Sequence, residues 1–259
     1  MENFVFQNPT KIIFGKNTET QVGMETKQYA DRVLLHYGGG SIKKTGLYDR
    51  VVASLKEAGV DFIELAGVQP NPRLSLIQEG IELCRKHNIR FVLAVGGGSV
   101  IDSAKGIAVG VPYKGDVWDF YRQKATIKEA LPVGVVLTIP AAGSETSPAS
   151  VVTNDDGALK RDIGTDLIRP KFAVLNPELT YTLPPYQTAC GVADIMAHVM
   201  ERYFTKVKDT DLTDRLCEAT LRTMIKYAPL ALENPMDYTA RAEIMWAGTV
   251  AHNDLLGTG

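Results

Sequence analysis

Phe91-Val92-Leu93-Ala94-Val95-Gly96-Gly97-Gly98-Ser99-Val100-Ile101-Asp102-Ser103-Ala104-Lys105 is the stretch whose reading settles the class of this chain. Phe91 to Val95 is an all-apolar run of strand length and predicts a buried strand. From Ser99 onward, Ile101, Ala104, Ala108 and Val109 predict a helix rich in small residues. Three glycines join the two. Glycine lets backbone come close to a phosphate, and a helix N-terminus points unpaired N–H groups and a partial positive charge at it. Gly-Gly-Gly-Ser can also be no more than a tight strand-to-helix turn. The strand before it and the helix after it favour a nucleotide phosphate.

Working outward, the first half alternates strand-like and helix-like segments. Val33 to Tyr37 predicts a strand running into Gly38-Gly39-Gly40-Ser41. A helix follows with Leu47, Val51, Val52, Leu55 and Ala58 on one face, closed by Gly59. Asp61 to Leu65 is a further strand. Asn71-Pro72 predicts a helix start, with asparagine as N-cap and proline at the first position, and Leu76, Ile77, Ile81 and Cys84 facing inward. Val133 to Ile139 is another strand. This order predicts an α/β fold with a mostly parallel sheet and ligands at the C-terminal strand ends. Phe4 to Phe6 and Lys11 to Phe14 are expected to pair as a small antiparallel ribbon. Beyond Pro184-Pro185 only helices are predicted, over 186–204, 212–232 and 238–256. The expected division is an α/β dinucleotide-binding domain over 1–180 and a helical domain over 181–259.

Composition narrows the partners. Of 259 residues, 28 are Lys or Arg and 30 are Asp or Glu, a formal charge of −2 with no run of one sign. Nucleic acid and anionic membrane are therefore poor candidates. No apolar stretch reaches spanning length, and the N-terminus lacks a basic start and apolar core, so a soluble cytoplasmic protein is expected. Three widely spaced cysteines indicate neither a disulfide framework nor a cysteine zinc site.

Two glycine-rich turns after separate strands could grip a dinucleotide diphosphate between them. Neither matches Gly-x-Gly-x-x-Gly, because Lys43 and Ile101 stand at the third-glycine positions. An acid just after the first strand would accept from a ribose 2′-hydroxyl and repel a 2′-phosphate. Here that place holds glycines, then Ser41 and Lys43, which favours NADP over NAD; alternatively Lys43 is simply solvated. A third loop, Thr138 to Glu145, offers hydroxyls beside small residues and suits the ribose or nicotinamide end. Asp194 and His198, four apart on a predicted helix, project from one face about a turn apart. A carboxylate and an imidazole so spaced can ligate one divalent cation, zinc or iron(II). The alternative is an acid and a histidine hydrogen-bonded within the core. Apolar neighbours would make an unpaired Asp194 costly to bury, which shifts the weight toward a metal. His252, the remaining downstream histidine, reads as a structural helix-end residue.

Together these residues resemble the iron-containing (group III) alcohol dehydrogenase family, most nearly its NADPH-dependent butanol dehydrogenase or aldehyde reductase branch. The resemblance rests on Tyr37 to Ser41, Gln69-Pro70-Asn71-Pro72, Gly96 to Lys105, Thr138 to Glu145, and Leu183-Pro184-Pro185 through Asp194, His198 and Glu201. It covers the whole chain. It implies a Rossmann-like parallel-sheet domain followed by an all-α domain, with a catalytic metal between them. Position by position, it places Gly38, Gly39, Gly40, Ser41, Asn71, Gly97, Gly98, Ser99, Asp102, Thr138 and Ser144 against the cofactor. Lys160 and Leu179 are further contacts near the nicotinamide. Asp194 and His198 match the first two metal ligands, and His252 matches none. The implied reaction is hydride transfer between NADP(H) and a small alcohol or aldehyde, in a homodimer. Asn176 stands where the family usually has an acid before proline, and Ala142 where this branch often has a hydroxyl. The family's third and fourth ligands are histidines on a segment starting just past Gly259. The all-α domain is therefore expected to be incomplete here and catalysis by these 259 residues doubtful. A non-catalytic NADP-binding module and an NAD-dependent polyol dehydrogenase relative are the competing readings.

Overall fold

Val92 to Gly96 are buried at all five positions, as a strand covered on both faces must be. In the computed structural model, which describes residues 2–258, this run is a central strand of a six-stranded parallel sheet. The elements of the α/β part are β1 (Lys11–Phe14), α1 (Val22–Lys27), β2 (Arg32–Gly38), α2 (Ser41–Lys44), α3 (Leu47–Glu57), β3 (Asp61–Val68), α4 (Leu74–Lys86), β4 (Val92–Gly96), α5 (Gly98–Gly110), α6 (Trp118–Tyr121), β5 (Val133–Leu137), β6 (Ala149–Asn154), β7 (Leu159–Gly164) and β8 (Phe172–Leu175). The strand order is β1-β8-β5-β4-β2-β3, with β6 and β7 as a separate antiparallel pair. Leu34, Val92, Ala94, Ile101 and Ile107 form the core on one face; Val33, Leu35, Val51, Leu55 and Leu93 form it on the other. The alternation along β2 follows from the period of two along a strand.

Chain order passes from β2 outward to β3, then back across β2 to β4, whose residues Val92 to Val95 pair with Leu34 to Tyr37. The sheet therefore reverses its winding between β2 and β4. After Leu175, the helices α7 (Pro185–Tyr203), α8 (Asp211–Glu233) and α9 (Tyr238–Ala251) pack around Ile195, Val199, Cys217, Met224 and Ile244. No helix among the described residues is long and apolar enough to cross a membrane.

Two local expectations are corrected. Residues 4–6 form no strand, and Lys11–Phe14 joins the main sheet in parallel with β8. The open edge of β8 offers a full ladder there, whereas Val5 is almost wholly exposed and has no buried face to contribute. Asn71 does not cap α4. It lies in the left-handed region at φ 57°, and α4 begins at Leu74 behind Arg73. The intervening backbone is used elsewhere, since Pro72 O accepts from the Thr153 amide at 2.9 Å and Arg73 bridges Thr153. The hairpin β6–β7 and strand β8 were not anticipated.

Two buried contacts tie layers together. His36 on β2 donates from Nδ1 to Leu65 O on β3 and accepts at Nε2 from the Ser103 hydroxyl on α5, both at 2.8 Å. Gly191 of α7 lies so close to the loop after β5 that a Cβ there would stand 2.5 Å from Pro140 O.

Burial pushes the His36 pKa down from 6.5 to about 4. The folded state thus favours neutral His36, and its contribution is complete above pH 6.5 and fades as pH falls toward 4. In His36→Gln, the stability lost between pH 7 and pH 5 should be smaller by about 2 kcal/mol than in the parent, measured by urea unfolding at both pH values. Identical pH dependence in the two proteins would exclude His36 as the acid-sensitive group. Gly191→Ala should lower the thermal midpoint by at least roughly 4 °C, because a methyl cannot fit without moving α7 from the Pro140 loop; an unchanged midpoint would contradict that packing.

Candidate dinucleotide cleft and metal-ligand pair

The C-terminal ends of β2, β4 and β5 open into a cleft of about 640 Å³. It lies where the winding reverses, the place at which helices leave the sheet on opposite faces and a crevice remains. Gly38, Gly39 and Ser41 form one wall, and Gly97, Gly98 and Ser99 form the next. Gly97 is extended, and its carbonyl takes the amides of Val100 and Ile101 at 3.0 and 3.2 Å. The Gly98 and Ser99 amides precede those bonds, in the position where a helix has N–H groups to spare. Gly98 has open space around it: a Cβ there would find Ser144 Cβ, at 4.0 Å, as its nearest neighbour. Gly40 does not line the cleft. Its φ of 102° turns the chain into α2, a conformation other residues rarely adopt.

Thr138 and Ser144 bring the third loop to the cleft, and Asp102 joins them from the second turn of α5. On the far side Lys160, carried by the unanticipated hairpin, donates to Asn71 Oδ1 at 2.8 Å. Both line the cleft, so the left-handed Asn71 turns its amide toward the hairpin rather than to a helix start. Leu179 borders an adjoining cavity of about 320 Å³ that shares Ser41, Thr138 and Ile139 with the main cleft.

Lys43 keeps about half of its side chain in solvent. Its ammonium is 3.4 Å from Glu64 and lies over the Tyr48 ring at 4.5 Å. Glu64 also accepts from the hydroxyls of Tyr37 and Tyr48, each at 2.5 Å. Burial raises the Glu64 pKa, but these three donors outweigh it and hold the carboxyl below its ordinary value.

Beneath the cleft lies a cluster of buried charges. Lys105 is 0 % exposed, and its Nζ donates into the segment 144–149. Burial lowers its pKa to about 8, against the opposing pull of Asp102 and Glu145. Burial raises Asp102 and Glu145, offset for Asp102 by Lys105 and the Ser144 hydroxyl, and for Glu145 by the Thr249 hydroxyl at 2.7 Å. The adjacent Gly143 has φ 62°, and a Cβ there would stand 2.7 Å from His252 Cβ, so this loop rests directly on the end of α9. Lys105 closes the Gly96–Lys105 motif, and the sequence by itself assigns it no role. A lysine on the apolar side of a small-residue helix was the available signal.

Asp194 lines the cleft from α7, with Oδ1 3.8 Å from His198 Nε2. Its side chain is 46 % exposed, so the argument from costly burial does not apply: apolar neighbours in sequence lie on other faces of the helix. His198 Nδ1 is 3.3 Å from His252 Nδ1, with the rings edge-on. Burial, helped by Arg202 and His198, lowers the His252 pKa to about 4. Asp194 and His198 are a carboxylate and imidazole with the spacing that a zinc or iron(II) ion accepts. Among the described residues no group of three or more His, Cys, Asp or Glu is placed to hold a metal.

Comparison with known proteins agrees with this architecture. Residues 9–177 match the family model for iron-containing alcohol dehydrogenase, and residues 188–257 match that for the C-terminal region of the same family. Over all 259 residues the chain is 52 % identical to the probable NADH-dependent butanol dehydrogenase 2 of Bacillus subtilis (strain 168), covering 66 % of that protein. It is 42 % identical to the NADPH-dependent aldehyde reductase YqhD of Escherichia coli (strain K12), covering all of this chain and 67 % of that protein. The crystal structure of NADH-dependent butanol dehydrogenase A from Thermotoga maritima superposes with a TM-score of 0.95 at 44 % identity, over 98 % of this chain and 64 % of the other. The chain thus spans about two thirds of the length of these relatives. With a glycine-walled cleft at the sheet reversal, and both family models matched in order, the chain belongs to the iron-containing alcohol dehydrogenase family.

Proposed function

We propose that this chain carries the dinucleotide cleft and two metal ligands of an enzyme transferring hydride between NAD(P)(H) and a small alcohol or aldehyde. The observation that carries this reading is the meeting of two glycine turns, on neighbouring parallel strands, with Asp194 on the same cleft. The Gly98 and Ser99 amides receive the diphosphate at the N-terminus of α5. Thr138 offers its hydroxyl to the ribose and nicotinamide side, and Ser144 the remaining lone pair of a hydroxyl that donates to Asp102. Asp194 and His198 hold one divalent cation, zinc or iron. A bound cation of this kind supplies Lewis acidity toward a substrate oxygen. The remaining task of the residues here is to hold the dinucleotide with its nicotinamide toward Asp194, so that the reacting carbon is positioned rather than chemically activated by a side chain.

Relatives named for NADH and for NADPH both match this chain. Ser41 and Lys43 favour a 2′-phosphate, while Glu64, 3.4 Å from the half-exposed Lys43 ammonium, places a negative charge beside it. Either NAD(H) or NADP(H) is therefore proposed.

Fluorescence titration of the purified chain with NADH and NADPH tests the cleft. At least one should bind, and Gly98→Ala should weaken it by about tenfold with the thermal midpoint unchanged, since the added methyl clashes with no protein atom, its nearest neighbour being Ser144 Cβ at 4.0 Å, but stands where phosphate must approach. Binding unaffected by Gly98→Ala would place the dinucleotide elsewhere. Calorimetric titration with Zn²⁺ tests the ligand pair. Weak binding lost in Asp194→Ala is expected from two protein donors where catalytic zinc sites use three; tight stoichiometric binding would require a third donor, and His252 would be the first to examine.

A further inference from the structure

Lys105 takes no part in the reading above, yet its surroundings are the most demanding in the molecule. Nζ lies 2.7, 2.8 and 2.9 Å from the main-chain oxygens of Ser144, Ala149 and Ser147. The hydroxyl oxygens of Ser144 and Ser147 stand at 3.1 and 3.3 Å. An ammonium has three protons, so five oxygens exceed what hydrogen bonding alone calls for. The shell is one that a small monovalent cation would gather. Asp102, one turn earlier on α5, grips the same segment: its carboxylate accepts from the Ser144 hydroxyl at 2.6 Å and the Val151 amide at 3.1 Å. Asp102, Ser144 and Val151 line the cleft, while Lys105 lies behind them.

We infer that Lys105 is a positioning residue for dinucleotide binding, its ammonium acting as a built-in cation that holds the Ser144–Ala149 segment against the N-terminal end of α5. The inference rests on the dinucleotide reading of the cleft and adds to it a residue that touches no ligand. Ser144 shows how it operates. Its hydroxyl proton goes to Asp102 and one lone pair is taken by Lys105, so the direction of what remains is set. Its Cβ sits 4.0 Å from the point where a Cβ on Gly98 would lie, directly beside the amides assigned to the diphosphate. Without the ammonium, three carbonyls lose their donor, the buried Glu145 loses its counter-charge, and Asp102 loses the cation one turn along α5. The segment then moves to reach water, and this wall of the cleft moves with it. The wall at Gly38–Ser41 belongs to a different turn and stays.

The test compares two probes on the purified chain. NADH spans both walls, whereas adenosine, with no phosphate, needs only the end at Gly38–Ser41. Lys105→Met should weaken NADH by about tenfold or more and leave adenosine within about twofold. Lys105→Ala should behave alike, with NADH affinity restored by added methylammonium filling the vacated oxygen shell. Should Lys105→Met fail to fold, Lys105→Ala purified in methylammonium serves, and its NADH affinity must fall on dialysis against amine-free buffer while adenosine binding persists. Unchanged NADH affinity in folded Lys105→Met overturns the inference alone. Equal loss of NADH and adenosine assigns Lys105 a purely structural role and overturns it too. A parent protein that binds neither NADH nor NADPH overturns the cofactor reading, and the inference with it.

Discussion

All six strands of the main sheet run the same way, and the rest of the molecule follows from that constraint. A parallel strand can be followed only by a crossover, so all six strands end at one edge, where α2, α4 and α5 begin after β2, β3 and β4. The helices after β2 and β4 depart to opposite faces, α3 over Val33 and Leu35, α5 over Leu34 and Ala94. No side chain fills the space between them. Glycines on both turns keep it open, and spare amides of α5 give it a positive floor. Binding capacity at this point is a consequence of sheet topology before it is a property of any particular side chain.

That crevice needs a far wall, and its construction depends on buried charge. Residues 143–151 lie across the mouth of α5 with little regular structure until β6 begins. Their carbonyl groups point inward, where water would ordinarily satisfy them. Lys105 does so instead, and Asp102 takes the donors of the same segment. Arg169 adds a second buried cation, donating to Thr146 O at 2.7 Å and to Asp254, so the loop is also tied to the end of α9. The helical part is thereby registered against the sheet through polar contacts at the site itself. Gly191 and Gly143 permit the close approach that these contacts require.

Much of this was legible in the sequence where the signal is local. Apolar runs placed β2, β4 and β5, glycine runs placed both turns, and Pro184-Pro185 marked where strands give way to helices. Most of the candidate contacts come together in one cleft, because strand ends in such a sheet are neighbours whatever their separation along the chain. The failures share a cause. Asn71-Pro72 has the chemistry of a helix start, but Thr153 competes for that backbone from 80 residues away. Lys11–Phe14 has the pattern of a ribbon strand, but β8 offers a better edge. Lys43, half exposed, also has Glu64 of β3 at 3.4 Å, a neighbour 21 residues away that no local pattern shows.

By itself the sequence determined the class of fold, the position of both glycine turns, and the residue types facing the cleft, since these depend on periodicity and on what glycine and proline permit within a few residues. Only the tertiary structure decided which charges meet. It paired Lys43 with Glu64, enclosed Lys105 in five oxygens, set Asp194 at a half-exposed rim, and brought His252 against His198. Ionic and polar contacts in a folded chain join residues from distant segments, and a buried charge takes whichever partner the packing leaves within about 3 Å.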